Sequence, residues 1–129
     1  MKSFKKYYEL SATPEEVYLA LTNPLSIQLW SGAPAEMSTE PGSEFSLWEG
    51  DIVGKNMEFE PNKKIVQQWY FDGEPEESIV TIKLHAGKRN GTTSVELNHV
   101  NIPDAEYENI TEGWNVYYFE ALDEFFDGE

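Results

Sequence analysis

The 129-residue chain carries 24 acidic residues against 9 lysines and arginines, a formal net charge of −15, and contains no cysteine. That charge repels phosphate backbones and anionic lipid, which argues against nucleic acid and membrane surfaces as partners and leaves a basic protein face or a neutral ligand open. Without cysteine there is no disulfide, thiolate nucleophile or cysteine-ligated zinc site, and no run of about twenty apolar residues is present to span a bilayer.

The amino terminus, Met1-Lys2-Ser3-Phe4-Lys5-Lys6-Tyr7, has no apolar run behind it and so lacks a secretory signal; a cytoplasmic protein is expected. Phe4 to Leu10 reads as a strand. Thr13-Pro14-Glu15-Glu16 opens a helix, with Thr13 as N-cap, Pro14 at the first helical position and Glu16 closing a capping box. Ala12 and Val17 stand where a hydrophobic staple forms, and Val17, Leu21 and Leu25 are expected inward. Asn23-Pro24 ends this helix, because the residue before proline avoids the helical region. A second short helix is expected from Leu25 to Trp30.

From Glu44 the hydrophobic period changes to two, the mark of half-buried antiparallel strands. The expected strands are Phe45 to Glu49, Asp51 to Glu60, Lys63 to Phe71, Ser78 to Ala86 and Thr92 to Val100. Gly50 and Gly54 stand where a hairpin needs unusual backbone geometry. Asn90-Gly91 suits a two-residue turn, which places Ile82 opposite His99, Leu84 opposite Leu97, His85 opposite Glu96 and Lys83 opposite Asn98. After Ile102-Pro103-Asp104 a helical period returns: Ile110, Trp114, Tyr117, Tyr118, Ala121, Leu122 and Phe125 recur on one face. A helix with so many bulky residues must cover an apolar surface, and the inner face of the strands supplies it. The fold class is α+β, with no repeat or linker dividing residues 1–129.

Strand, two small helices, antiparallel meander and long final helix is the order of the helix-grip fold of START-like and Bet v 1-like (SRPBCC) domains. Two segments, Gly42-Ser43-Glu44-Phe45-Ser46-Leu47-Trp48-Glu49-Gly50-Asp51-Ile52-Val53-Gly54 and Lys63-Lys64-Ile65-Val66-Gln67-Gln68-Trp69, are similar to strand motifs of one such family. Asn101-Ile102-Pro103 and Gly113-Trp114-Asn115-Val116-Tyr117-Tyr118-Phe119-Glu120-Ala121-Leu122 are similar to its C-terminal signature. On these residues the chain resembles the C-terminal domain of the activator of heat-shock protein 90 ATPase. The resemblance implies a curved sheet wrapped around a long C-terminal helix, and contact with a chaperone of that class. The motifs consist of turn glycines and packing aromatics, which define a fold better than a chemistry.

An apolar cavity between sheet and helix, taking a small hydrophobic ligand, is the expected function; the alternative is a co-chaperone-like interaction domain, and a cyclase or hydrolase of the same fold comes third. Candidate cavity residues are Trp30, Trp69, Ile82, Leu84, Leu97, His99, Trp114 and Tyr118. Trp30, Trp48, Trp69 and Trp114 together suggest a ligand cage, and the same rings also suit a filled core, each burying about 150–250 Å². His99 follows Val95 and Leu97 in alternation and points inward, either as a ligand anchor or base or as a structural histidine bonded to Asn101, a tyrosine hydroxyl or backbone. Solvent-facing His85 cannot readily share a metal with it. No catalytic residue, metal site or cofactor is expected, because no spacing matches a carboxylate pair, HExxH helix, EF-hand or phosphate-binding loop. If Phe119 and Phe126 form an outer apolar patch, dimerisation or docking follows from it; equally, isolated exposed aromatics are common and carry no such meaning.

Overall fold

The computed structural model describes residues 1–127. Strand β1 (Lys2–Leu10) is followed by helices α1 (Pro14–Thr22) and α2 (Pro24–Ser31), then by β2 (Glu44–Leu47), β3 (Ile52–Glu60), β4 (Lys64–Trp69), β5 (Ser78–Ala86) and β6 (Thr93–Ile102). The six strands make one antiparallel sheet in the order β1-β6-β5-β4-β3-β2. A C-terminal helix lies over its inner face, giving the helix-grip architecture. That helix runs on through three parts: α3 (Tyr107–Glu112), a π-helical segment (Gly113–Glu120) and α4 (Ala121–Asp127).

The helix starts are set by short-range chemistry. The Thr13 hydroxyl accepts the Glu16 amide at 3.2 Å while the Glu16 carboxylate accepts the Thr13 amide at 2.9 Å, completing the capping box. Asn23 ends α1 and caps α2 through the Ser26 amide at 3.0 Å. Leu25 is exposed, contrary to expectation, because the Asn23-Pro24 break assigns it to α2. There Ile27 and Trp30 form the buried face, and at about 100° per residue Leu25 points away from both.

In the sheet, alternation does the sorting. Ile65 and Trp69 of β4, Val80, Ile82 and Leu84 of β5, and Val95 and Leu97 of β6 are buried on the inner face, as the period of two requires. The β5–β6 hairpin differs from the expected register by two residues: Val80 faces His99, Ile82 faces Leu97, Leu84 faces Val95, Lys83 faces Glu96 and His85 faces Ser94. Asn90-Gly91 belongs to a wider loop over 88–91, closed by the Gly87 amide on the Thr92 carbonyl at 2.9 Å. An even slip keeps every side chain on its intended face. His85 still reaches Glu96 diagonally, at 3.1 Å.

In the C-terminal helix, the π segment changes which residues face the sheet. Hydrogen bonding to the fifth residue brings positions five apart onto one face, so Trp114 and Phe119 are both buried, together with Tyr118 and Leu122. Phe119 stacks on Tyr8 of β1 with ring centroids 4.0 Å apart, and Phe126 packs partly buried against the core. An outer patch of Phe119 and Phe126 is therefore not formed. Tyr117, expected inward, is 63% exposed.

Strand β3 carries one glycine whose lack of a side chain is required. A Cβ on Gly54 would lie against the Gln68 carbonyl oxygen of β4 and 2.8 Å from the Phe45 ring of β2. Gly54→Ala is expected to lower stability by about 1–3 kcal/mol, the usual range for overpacking, read as a reduced urea midpoint at unchanged m-value.

Candidate functional site

The C-terminal helix is fastened to the sheet by one buried polar and aromatic cluster. Trp114 stacks on Trp69 with centroids 4.6 Å apart and planes 24° apart. Its indole Nε1–H donates to His99 Nδ1 at 3.0 Å. That bond leaves Nδ1 as acceptor and puts the imidazole proton on Nε2, which donates to Ser78 Oγ at 2.8 Å. The Ser78 hydroxyl passes the chain on to the Val100 carbonyl at 3.2 Å. His99 is fully buried, and burial pushes its pKa from the ordinary 6.5 down to about 3. The partners expected for it are not the ones it has: Asn101 instead donates from Nδ2 to the Glu77 carbonyl at 2.9 Å.

A second buried chain leads from the same tryptophans to the loop before β2. Trp69 Nε1–H donates to Gln67 Oε1 at 3.2 Å, Gln67 Nε2 donates to Asn56 Oδ1 at 3.0 Å, and Asn56 Nδ2 donates to the Ser38 carbonyl at 3.1 Å. Each polar group is satisfied, as burial demands. Gln67 was legible as a polar residue at an inward position between Ile65 and Trp69. Asn56 was harder to see, because β3 shifts register between Asn56 and Glu58.

Beside this cluster, between the helix and the β2–β4 end of the sheet, opens a cleft of about 880 Å³. Its floor is the buried Trp69, Trp114 and Tyr118, and its walls include Trp48, Tyr70, Phe71 and Tyr117. Gly113 also lines it, with nothing within 4 Å of where a Cβ would stand. Asp51, Asp72, Glu74 and Glu106, all exposed, are among the lining residues. At the mouth, Trp48 and Glu49 are held at φ 49° and 55°, a left-handed conformation costing about 1–2 kcal/mol per residue for an L-amino acid. Burial pushes the Tyr118 phenol far above its ordinary range, so the hydroxyl at the floor stays neutral.

Of the eight residues expected around a cavity, Trp69, Trp114 and Tyr118 line this cleft. Ile82, Leu84 and Leu97 are buried in the core under the helix, and Trp30 is buried with its indole N–H on the Ala20 carbonyl at 2.8 Å. His99 stands behind Trp114 with both ring nitrogens engaged. Trp48, one of the four tryptophans suggesting a ligand cage, also lines the cleft. The sequence reading missed Tyr70 and Phe71 as cleft residues. Their signal was position: both lie just past the end of β4 next to a turn, where inward and outward alternation stops being informative.

No helix among the described residues is long and apolar enough to cross a membrane. A six-stranded antiparallel sheet gripping a C-terminal helix, with an aromatic cleft at one end, defines a helix-grip domain of the START-like and Bet v 1-like class. Residues 11–127 match the family described as activator of Hsp90 ATPase homolog 1-like protein, and the chain belongs to that family. It is 33% identical over 114 residues to the human activator of 90 kDa heat shock protein ATPase homolog 1, a match covering 88% of this chain and 34% of that protein. The chain thus spans about a third of the length of the curated relatives it matches. Among solved structures, an HSP90 activator from Plasmodium falciparum superposes with a TM-score of 0.86 at 29% identity, covering 99% of this chain and 97% of that one. The Aha1 dimer from Colwellia psychrerythraea matches in fold with a TM-score of 0.81 at 20% identity, covering 100% and 99% of the two chains.

The depressed pKa of His99 has a consequence for acid stability. The folded state keeps the imidazole neutral down to about pH 3 whereas the unfolded chain takes up a proton near 6.5, so the unfolded state binds more protons between these values. Stability is therefore full above pH 6.5 and falls on acidification, His99 contributing about 1.4 kcal/mol per pH unit. Urea titrations at successive pH values from 7 to 5 are expected to show this slope, and His99→Gln is expected to remove that contribution while lowering stability at pH 7.

Proposed function

We propose that this domain is a non-enzymatic binding module whose cleft between the C-terminal helix and the β2–β4 end of the sheet takes a small hydrophobic ligand. The observation that carries this reading is the aromatic floor of Trp69, Trp114 and Tyr118 under a cleft of about 880 Å³. Small-molecule sites are typically concave, largely apolar and about 300–1,000 Å³ in volume. His99, the residue expected as a general base, is not placed to act as one, since a base must come within hydrogen-bond reach of the substrate and His99 lies outside the lining with both nitrogens engaged. The reading requires no cofactor or metal, and a cytoplasmic setting goes with it.

A second reading is a co-chaperone-like interaction domain acting on a heat-shock protein 90 homologue. Its support is the description of the relatives, human and Plasmodium falciparum proteins described as activators of that chaperone. Those relatives include one of which the match covers only 34%, so a whole-protein activity is carried over only as a proposal.

Gly113 provides a variant that separates the two readings. It has helical backbone angles, φ −59° and ψ −45°, and free space where a side chain would start. Gly113→Phe is expected to fill the cleft with no loss of melting temperature, since replacing a helical glycine tends to gain roughly 0.5 kcal/mol. Native mass spectrometry of the protein purified from its own host is expected to find a near-stoichiometric small apolar molecule in the wild type and none in Gly113→Phe. A bare wild-type chain that captures a heat-shock protein 90 homologue, with Gly113→Phe capturing it equally, would sink the ligand reading and favour the second.

A further inference from the structure

We propose that the occupant of the cleft is a lipophilic organic cation, an amine or quaternary ammonium compound of small-molecule size; this rests on the reading of the cleft as a ligand site. The cleft is lined by aromatic and acidic residues together, and it is the acidic ones that select the class of ligand. Three segments supply most of its lining: 48–53, 69–74 and 103–118. Together they carry Glu49, Asp51, Asp72, Glu74, Asp104, Glu106, Glu108 and Glu112 and not one lysine or arginine.

Asp51, Asp72, Glu74 and Glu106 line the cleft, and among the described residues no cation pairs with any of the four. Asp104 is spoken for by the amino-terminal ammonium at 3.1 Å. The side-chain cations lie elsewhere. Arg89 is the last cationic residue in the sequence. On the strands, Lys64 pairs with Glu58 and Glu60, and Lys5 with Glu96.

A cleft with carboxylates of one sign and low-dielectric walls focuses its field and concentrates the opposite charge. Trp48, Tyr70, Phe71 and Tyr117 in its walls are exposed or partly exposed, and such rings attract a cation placed over them. An apolar anion would be repelled by the same carboxylates, and a neutral ligand would gain from burial alone. A metal ion does not suit the site, because no three acidic or histidine side chains among the described residues converge to hold one, and a hydrated ion makes no use of an aromatic floor.

The test uses three near-isosteric probes, naphthylethylamine, naphthylethanol and naphthylacetate, titrated at pH 7 and low salt into the labelled protein. Indole N–H resonances report the site: those of Trp48, Trp69 and Trp114 are expected to shift most, and that of Trp30, outside the lining but packed on Trp48 and Tyr118, least. The amine is expected to bind about tenfold more tightly than the alcohol, and the acetate most weakly, with the spread shrinking as salt is added. Asp72→Asn with Glu106→Gln is expected to abolish most of the preference for the amine. Glu9→Gln with Glu15→Gln, the same change in net charge away from the cleft, is expected to leave it. Equal affinity for amine and alcohol, or equal loss in both variant pairs, overturns the proposal while leaving the cleft as a ligand site. No shift of the cleft indoles with any probe overturns the ligand reading as well.

Discussion

The contact on which the rest of the structure depends is the bond from the Trp114 indole to His99 Nδ1, made while the same indole stacks on Trp69. It ties the C-terminal helix to β6 and β4 at once. Aromatic pairs of this kind add about 0.5–1.5 kcal/mol beyond the area they bury. Leaving the indole donor without an acceptor would cost roughly 1–3 kcal/mol. The cleft follows from this anchorage: with Trp114 and Trp69 fixed by hydrogen bonds on both sides, their outer surfaces become a rigid floor.

Rigidity on the floor contrasts with strain at the mouth. Trp48 and Glu49 hold left-handed backbone without being glycine, and they stand where β2 hands over to β3 beside the cleft. The polar chain from Trp69 through Gln67 and Asn56 reaches the Ser38 carbonyl in the loop before β2, so the floor and that loop are joined by hydrogen bonds. Asn56 also donates to Ser43 Oγ at 3.2 Å, at the start of β2. The strained turn is thus backed by a strand pair whose buried polar groups are all satisfied among the described residues.

Charge is arranged with similar economy. The net −15 is a property of composition, but its effect is local, because two strand lysines, Lys5 and Lys64, are paired with glutamates while the four acidic residues lining the cleft have no cationic partner among the described residues. Within about 8 Å, the Debye length at physiological salt, such groups set the potential felt by anything entering.

By itself the sequence determined what depends on near neighbours and on parity. The Thr13–Glu16 capping box, the Asn23-Pro24 break, the inner faces of β4 to β6 and the helix-grip order were all legible, since each rests on residues a few positions apart or on a period of two. The inward placement of His99 was legible for the same reason, but its partners Ser78 and Trp114 were not: they lie 21 and 15 residues away and meet it only through sheet pairing and helix docking. Tertiary structure also decided the hairpin register, which the Asn90-Gly91 pair alone set two residues off, and the face of the C-terminal helix. There the π segment buries Phe119 against Tyr8 and leaves Tyr117 exposed, a choice made by the fit of large rings to the sheet beneath, which a fixed helical period cannot express. The cleft divides between the two: Trp69, Trp114 and Tyr118 were legible as cavity residues, whereas its walls, assembled from the ends of three distant segments, were decided by tertiary structure.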